Sequence, residues 1–369
     1  MKSATARLSP NRPPCATAHR AVEAEVQATT ERNRAIEAEV QATAERNRAL
    51  EQQQRADREA AMATSINQFL QFDLLAQASA EGQAGGANTP DPDIRVRTVL
   101  DRAAARIGDT FAASPEVRAS IEATIGKTYE GLGLSPEAAR HFTNALELNG
   151  RLGGPEHPET LRLALELGGL YRAQGKHAEA EVLLESTVNA HRRVHGARHP
   201  DTLAATEALG TVLTQQGKFA RAEPLMTGAL ATARQLFGPD HPTTIRMMTG
   251  LAGLYFRQGR SDEAEPYLTS ALEARRRTLG PDHPNTVALL NNLGVLYQNQ
   301  GRFADAEPVM LAVLDARRGA FGDDHIETFN AMNNLGVVYA GLGKDEEAEP
   351  LYTTALEGTR RAMGPEHCG

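Results

Sequence analysis

Between residues 284 and 321 the apolar positions advance in steps of three and four. Val287, Leu290, Leu293, Gly294 and Tyr297 form one series, and Phe303, Ala306, Met310, Val313 and Leu314 form a second. That spacing predicts two amphipathic helices, joined by a short turn at "NQGR". The arrangement recurs with a step of 42 residues. Glycine stands at Gly133, Gly175, Gly217, Gly259, Gly301 and Gly343. Tyr129, Tyr171, Tyr255, Tyr297 and Tyr339 fall four residues earlier, with Leu213 in the differing unit. Ala138, Ala180, Ala222, Ala264, Ala306 and Ala348 fall five residues later, and Leu146, Val188, Leu230, Leu272, Leu314 and Leu356 keep the same phase. A fixed period of roughly 20–50 residues marks a repeat architecture, in which each unit packs mainly on its neighbours. The pattern predicts an all-α solenoid over residues 94–369, with about six units and a degenerate first one over 115–151. Small residues such as Gly294 and Ala306 let the paired helices approach, and large ones such as Leu293, Tyr297 and Leu314 fill the space between them.

The helix pairs are separated by a loop written six times: "GPEHPET" from Gly154, "GARHPDT" from Gly196, "GPDHPTT" from Gly238, "GPDHPNT" from Gly280, "GDDHIET" from Gly322 and "GPEHCG" from Gly364. Gly280 stops a helix because glycine takes the left-handed cap conformation at little cost. Pro284 suits the first turn of the next helix, where its missing N–H is not needed. Asp282 or His283 can cap the exposed amides there, and the histidine can also hydrogen-bond to the neighbouring loop. One histidine per unit supplies no converging set of three or four ligands. No metal or cofactor is expected.

The amino-terminal third is patterned differently. "AVEAEVQATTERNR" (21–34) is followed by "AIEAEVQATAERNR" (35–48), a step of two heptads. Val22, Val26, Thr29, Asn33, Ile36, Val40, Thr43, Asn47 and Leu50 alternate at steps of four and three, as an a/d seam does. Asparagine at a and threonine at d make a poor seam. The segment is expected to form a long helix over 21–80, either a weak homodimer through residues 21–60 or a solvated spacer. Ile66, Phe69, Leu70, Phe72, Leu74 and Leu75 make its end apolar, which suits a cap on the array or, alternatively, a partner- or membrane-facing helix. Residues 1–20 are expected to be disordered and "EGQAGGANTPDPD" (81–93) to be a flexible linker. A further helix is expected from Ile94 to about Phe111. Ser114–Pro115–Glu116 and Ser135–Pro136–Glu137 then read as helix starts with a capping serine.

Composition narrows the function. Charged residues make up 23% of the chain and the net charge is −8. That argues against nucleic acid as the main partner. Cys15 and Cys368 stand near opposite ends and make neither a disulfide framework nor a zinc site. No stretch reaches the length of apolar residues that a membrane span needs. The first residues carry no apolar core of a secretory signal, so the cytoplasm is the expected location. "ATIGKT" (123–128) ends like a phosphate-binding loop, but Ile121 stands where that motif needs glycine, and Gly126 shares its phase with Gly168, Gly210 and Gly294. No GxSxG, HExxH or CxxC occurs, and nothing assembles a nucleophile, a base and an orienting group. The chain is expected to have no catalytic site.

The helix–turn–helix unit with its small, Tyr and Ala positions resembles the tetratricopeptide repeat, whose usual unit is roughly 34 residues. The longer unit here, with "HPNTVALLNNLGVLYQNQGRFADAEP" (283–308), resembles the kinesin light chain type. The resemblance covers residues 115–369 and implies a right-handed superhelix whose first helices line a concave face. It also implies a peptide or protein partner in that groove. Matching asparagines of that type hydrogen-bond a peptide backbone, a role that carries over best to Asn291 and Asn333. Asn292, Gln298, Asn299, Asn330 and Asn334 share the surface, while Leu165, Glu207 and Thr249 stand at the matching earlier positions. Arg172, Arg246 and Arg257 can add selection for an acidic segment. A broader resemblance, through "INQFLQFDLLAQASAEG" (66–82) and "VRTVLDRAAARI" (96–107), is to the repeat-containing half of bacterial receptor-like serine/threonine kinases. It implies a detached sensory or regulatory half, because no kinase signature is present. The chain stops at "GPEHCG" with no capping helix after it. A partner, self-association or a longer parent protein is expected to cover the face left there.

Overall fold

A computed structural model of the chain describes residues 37–50, single positions between 32 and 64, and residues 96–363. The expected disordered start, the apolar stretch 66–75, the linker 81–93 and His367 lie outside the described residues. The chain divides into two units, Met1–Val99 and Leu100–Gly369. In the first, residues 37–50 are helical and exposed throughout, including the seam positions Val40 and Leu50.

The second unit is a solenoid of consecutive helices, led in from α1 (Val96–Thr110). The pairs are α2 (Pro115–Gly131) with α3 (Ser135–Gly153), α4 (Pro158–Ala173) with α5 (His177–His195), and α6 (Pro200–Gln215) with α7 (Phe219–Phe237). They continue as α8 (Pro242–Arg257) with α9 (Ser261–Leu279), α10 (Pro284–Asn299) with α11 (Phe303–Phe321), and α12 (Ile326–Gly341) with α13 (Asp345–Met363). From α2 onward each helix packs on the next in sequence. A two-helix unit cannot enclose its own apolar face, so a continuous core threads from unit to unit. It runs from Ala180 to Ala355 through Leu184, Leu213, Met226, Ile245, Met310 and Val338.

The turn glycines do what their phase implies. Gly301 closes the first helix of its unit at φ 71°, and Gly280 closes a second helix at φ 88°. Those values lie in the left-handed region that glycine occupies without strain. Within each pair, a small residue of the first helix faces a large one of the second. A Cβ on Gly168 would lie 2.6 Å from Leu184 Cδ2, and one on Gly294 would lie 2.6 Å from Met310 Cε. Gly126 faces Phe142 in the same way. It sits inside α2, as a packing position and not a loop, and its neighbour Lys127 pairs with Glu166.

The repeated histidine is the helix cap. His157, His199, His241, His283 and His325 each occupy the N-cap in extended backbone. Each Nδ1 accepts the N–H two residues on, at 3.3, 3.2, 3.2, 3.1 and 3.2 Å. This settles the choice between Asp282 and His283. The rings stack on the end of the preceding helix, as His241 does on Phe237 and His325 on Phe321. Ion pairs, not histidine bonds, tie each of these loops to the end of the second helix of the next unit: Glu156 with Arg193, Asp240 with Arg277 and Asp324 with Arg361. The serine caps differ from expectation. Ser114 is at an N-cap, but at ψ 72° its hydroxyl makes no capping bond. Ser135 is the first residue of α3, with Leu134 at the cap and no side-chain bond. The turn through Gly133 runs straight into that helix and leaves no extended residue from which a side chain could reach back.

A second ladder joins successive units. Lys218 pairs with Glu181, Arg260 with Glu223, Arg302 with Glu265 and Lys344 with Glu307. Each cation directly follows the turn glycine and reaches one unit back. Arg260, Arg302 and Lys344 also lie over the rings of Tyr255, Tyr297 and Tyr339. The recurring tyrosine is thus a platform for the cation as well as a core residue. Leu213 breaks the tyrosine pattern, and there Arg221 supplies Glu181 with a second partner.

Candidate partner-binding site

The first helices of successive units touch one another, α4 with α6, α6 with α8 and α10 with α12. Where α6, α8 and α10 lie side by side they line a cavity of about 500 Å³. Its walls are Glu207, Thr211 and Gln215 of α6, Arg246, Thr249 and Arg257 of α8, and Asn285, Ala288 and Asn292 of α10, with Arg275 added from α9. Gly250 and Gly253 hollow its middle, and nothing lies within 4 Å of where a Cβ on Gly253 would stand. The glycine is therefore not required by packing. It leaves room on the surface.

Charge in the cavity is unevenly matched. Glu207 is the carboxylate among the lining residues. Burial pushes its carboxyl up from the usual range, while Arg246, a hydrogen bond from Thr211 and Arg172 oppose that shift. Arg246, Arg257 and Arg275 have no hydrogen-bond or ion-pair partner among the described residues. Most arginines of the loops and turns, by contrast, are spent on the ladders. Guanidiniums whose N–H groups are not taken up by side-chain hydrogen bonds present fixed donors to an incoming carboxylate.

Of the residues singled out from sequence, the cavity brings together Arg246, Arg257 and Asn292. Arg172 stands on α4, near enough to Glu207 to favour its charge. Asn291 and Asn334 are joined to each other, with Asn334 Nδ2 donating to Asn291 Oδ1 at 3.0 Å. Gln298 Nε2 donates to the Asn334 carbonyl at 2.7 Å, so this group ties α10 to α12. Asn299 donates to the Val295 carbonyl of its own helix. Asn330 and Asn333 are exposed on α12. Sequence reasoning did not select Arg275, Thr211, Gln215 or the two glycines. Glu207 and Thr249 were legible as positions equivalent to Asn291, but not as parts of one cavity.

The profile of the tetratricopeptide repeat matches overlapping stretches at residues 117–193, 162–227, 201–277, 244–317 and 286–361. The chain belongs to the tetratricopeptide repeat family. Its repeats are of the kinesin light chain type. Kinesin light chain TPR-like repeats from Podosopora anserina are similar at 25% identity and a TM-score of 0.50, over 56% of this chain and 98% of that one. BtubC (BKLC) from P. vanneervenii aligns at 21% identity and a TM-score of 0.53, over 63% of this chain and 92% of that one. A Rap protein, solved complexed with Competence and Sporulation Factor, shares the fold at 11% identity and a TM-score of 0.52, over 82% and 98%. No curated protein matches the chain. Among the described residues, no helix of this tetratricopeptide repeat protein is long and apolar enough to cross a membrane.

Proposed function

We propose that this protein is a non-catalytic scaffold that binds an extended, acidic segment of a protein partner in a concave groove lined by its first helices. The observation that carries the reading is the convergence of three guanidiniums, Arg246, Arg257 and Arg275, on one cavity whose lining holds a single carboxylate, Glu207. Asn292 adds an amide that can donate to and accept from a peptide bond. The contacts between first helices of neighbouring units support a concave placement. No histidine or cysteine is among the lining residues, which suits binding better than chemistry. On this reading Asn330 and Asn333, exposed on α12, extend the binding surface. On this reading the protein works in the cytoplasm, and residues 21–60, with Val40 and Leu50 exposed, act as a weak dimerising segment. The receptor-like kinase alternative draws partly on residues 66–82, which lie outside the described residues.

Fluorescence polarisation with acidic and charge-neutral peptides of equal length tests this. The wild type is expected to prefer the acidic set, with affinity falling as salt screens the contact. An R246E/R257E variant of unchanged helicity is expected to lose that preference. Equal binding of both sets by the wild type, or a preference that survives in the variant, overturns the assignment.

A further inference from the structure

One unit carries side chains that the repeat does not explain. At the junction of α5 and α6, His191, His195 and Asp201 each offer a ligand atom, and these atoms lie within 4.8 Å of one another. His191 and His195 are one turn apart on α5, and His195 is its last residue. Gly196, at φ 85°, turns the chain so that Asp201, in the first turn of α6, comes back beside them. His191 is buried, at 5% exposure, while His195 and Asp201 reach the surface.

The other units serve as internal controls. At the position of His191 they have Asn149, Ala233, Arg275, Arg317 and Thr359, and at that of His195 they have Gly153, Phe237, Leu279, Phe321 and Met363. The solenoid therefore forms without either imidazole. His191 also costs something where it stands, since its Nδ1 is buried with no hydrogen-bond partner. A buried polar atom left unpaired destabilises a fold by about 1–3 kcal/mol and calls for a compensating contact.

We propose that His191, His195 and Asp201 form a binding site for one borderline divalent transition-metal ion such as Zn²⁺. Two imidazoles and a carboxylate are a donor set for zinc and its neighbours and not for calcium or magnesium, which take oxygen ligands. Ligand atoms around a tetrahedral zinc stand roughly 3.4 Å apart, so the cluster closes by at most about 1.4 Å, within reach of rotamer adjustment at the two exposed residues. The fourth position is left to water or a donor from a partner. His199 is stacked on His195, with ring centroids 4.4 Å apart, but its Nδ1 is committed to capping α6. Of the nearby arginines, Arg193 is neutralised by Glu156, while Arg192 and Arg198 weaken cation binding. Occupancy would pin the end of α5 to the start of α6 and stiffen that junction.

The test is a Zn²⁺ titration of the full chain against a chromophoric chelator, with Co²⁺ absorption reporting coordination geometry. One saturable site is expected, with a tetrahedral or five-coordinate Co²⁺ spectrum and a thermal midpoint that rises on Zn²⁺ addition. H195Q and D201N change exposed side chains and are expected to keep the fold while weakening that site by more than about tenfold. H283N, in an equivalent loop, is expected to leave it intact. Absence of saturable binding overturns the proposal, as does a site that persists unchanged in H195Q and D201N or that disappears in H283N.

Discussion

Gly168 and Gly169 stand side by side in α4, and replacing each by alanine sets helix propensity against packing. In a helix interior either change gains about 0.8–1 kcal/mol of backbone propensity. At Gly169 nothing lies within 4 Å of the added methyl, so G169A is expected to stabilise the protein by that amount. At Gly168 the methyl would stand 2.6 Å from Leu184 Cδ2 and 2.7 Å from Cγ. Leu184 is fully buried, at 0% exposure. Its Cγ cannot swing aside as a chain end can, so either the rotamer is forced or α5 shifts outward by nearly 1 Å. Overpacking of that kind costs about 1–3 kcal/mol. Set against the propensity gain, G168A is expected to lose about 0–2 kcal/mol, and the two neighbours to differ by about 1–3 kcal/mol. Urea titrations followed by far-UV circular dichroism measure this, provided the slopes agree, because a softened unit can break the cooperativity of a repeat array. A G168A protein as stable as G169A would show that α4 and α5 are not held at the spacing described.

Three further outcomes follow from the same geometry. H283A removes the acceptor for the Asn285 N–H and is expected to cost about 1 kcal/mol, with most of it recovered in H283N, because asparagine is a good N-cap; thermal unfolding of the three proteins separates these. Glu181 is held below the usual carboxylate range by Lys218, against its burial and with help from Arg221. Its contribution to stability is therefore present above that range and lost as pH falls through the depressed value, so E181Q is expected to be less stable than wild type at neutral pH, with the gap narrowing in acid. Glu207 has the opposite sign: its carboxyl is raised by burial, so it favours the fold when protonated and loses that contribution as pH rises. E207Q is expected to unfold at a higher temperature than wild type at neutral pH, to match it in acid, and to bind acidic peptides more tightly; an unchanged melting profile and affinity would contradict this reading of the cavity.

Much of the architecture was written in local pattern. The 42-residue step, the two helices per unit, the turn at "NQGR" and the stop at Gly280 depend on burial periodicity and on backbone preferences that each residue carries with it. The small position at Gly126, Gly168, Gly210 and Gly294 was also legible, and it excluded a phosphate loop at "ATIGKT". Capping in the loop after Gly280 was narrowed to two candidates but not decided, because both Asp282 and His283 carry acceptors and only backbone geometry selects one. Ser114 and Ser135 show the same limit: the residue type suits a cap, but the local ψ or the preceding turn denies it.

The candidate site was legible only as a face. Phase placed Arg246, Arg257 and Asn292 on first helices, but their convergence on one cavity with Arg275 and Glu207 needed the packing of three units. Asn291 stands one period before Asn333 in the sequence, yet it accepts a hydrogen bond from Asn334 while Asn333 stays exposed. The cluster of His191, His195 and Asp201 escaped notice because the histidines were compared between units, not within one junction. A repeat pattern fixes which face a residue occupies and how often the face returns. It does not fix which cations meet a carboxylate and which are left free. That is set by side-chain reach across neighbouring units, and it decided where this protein has contacts to spare.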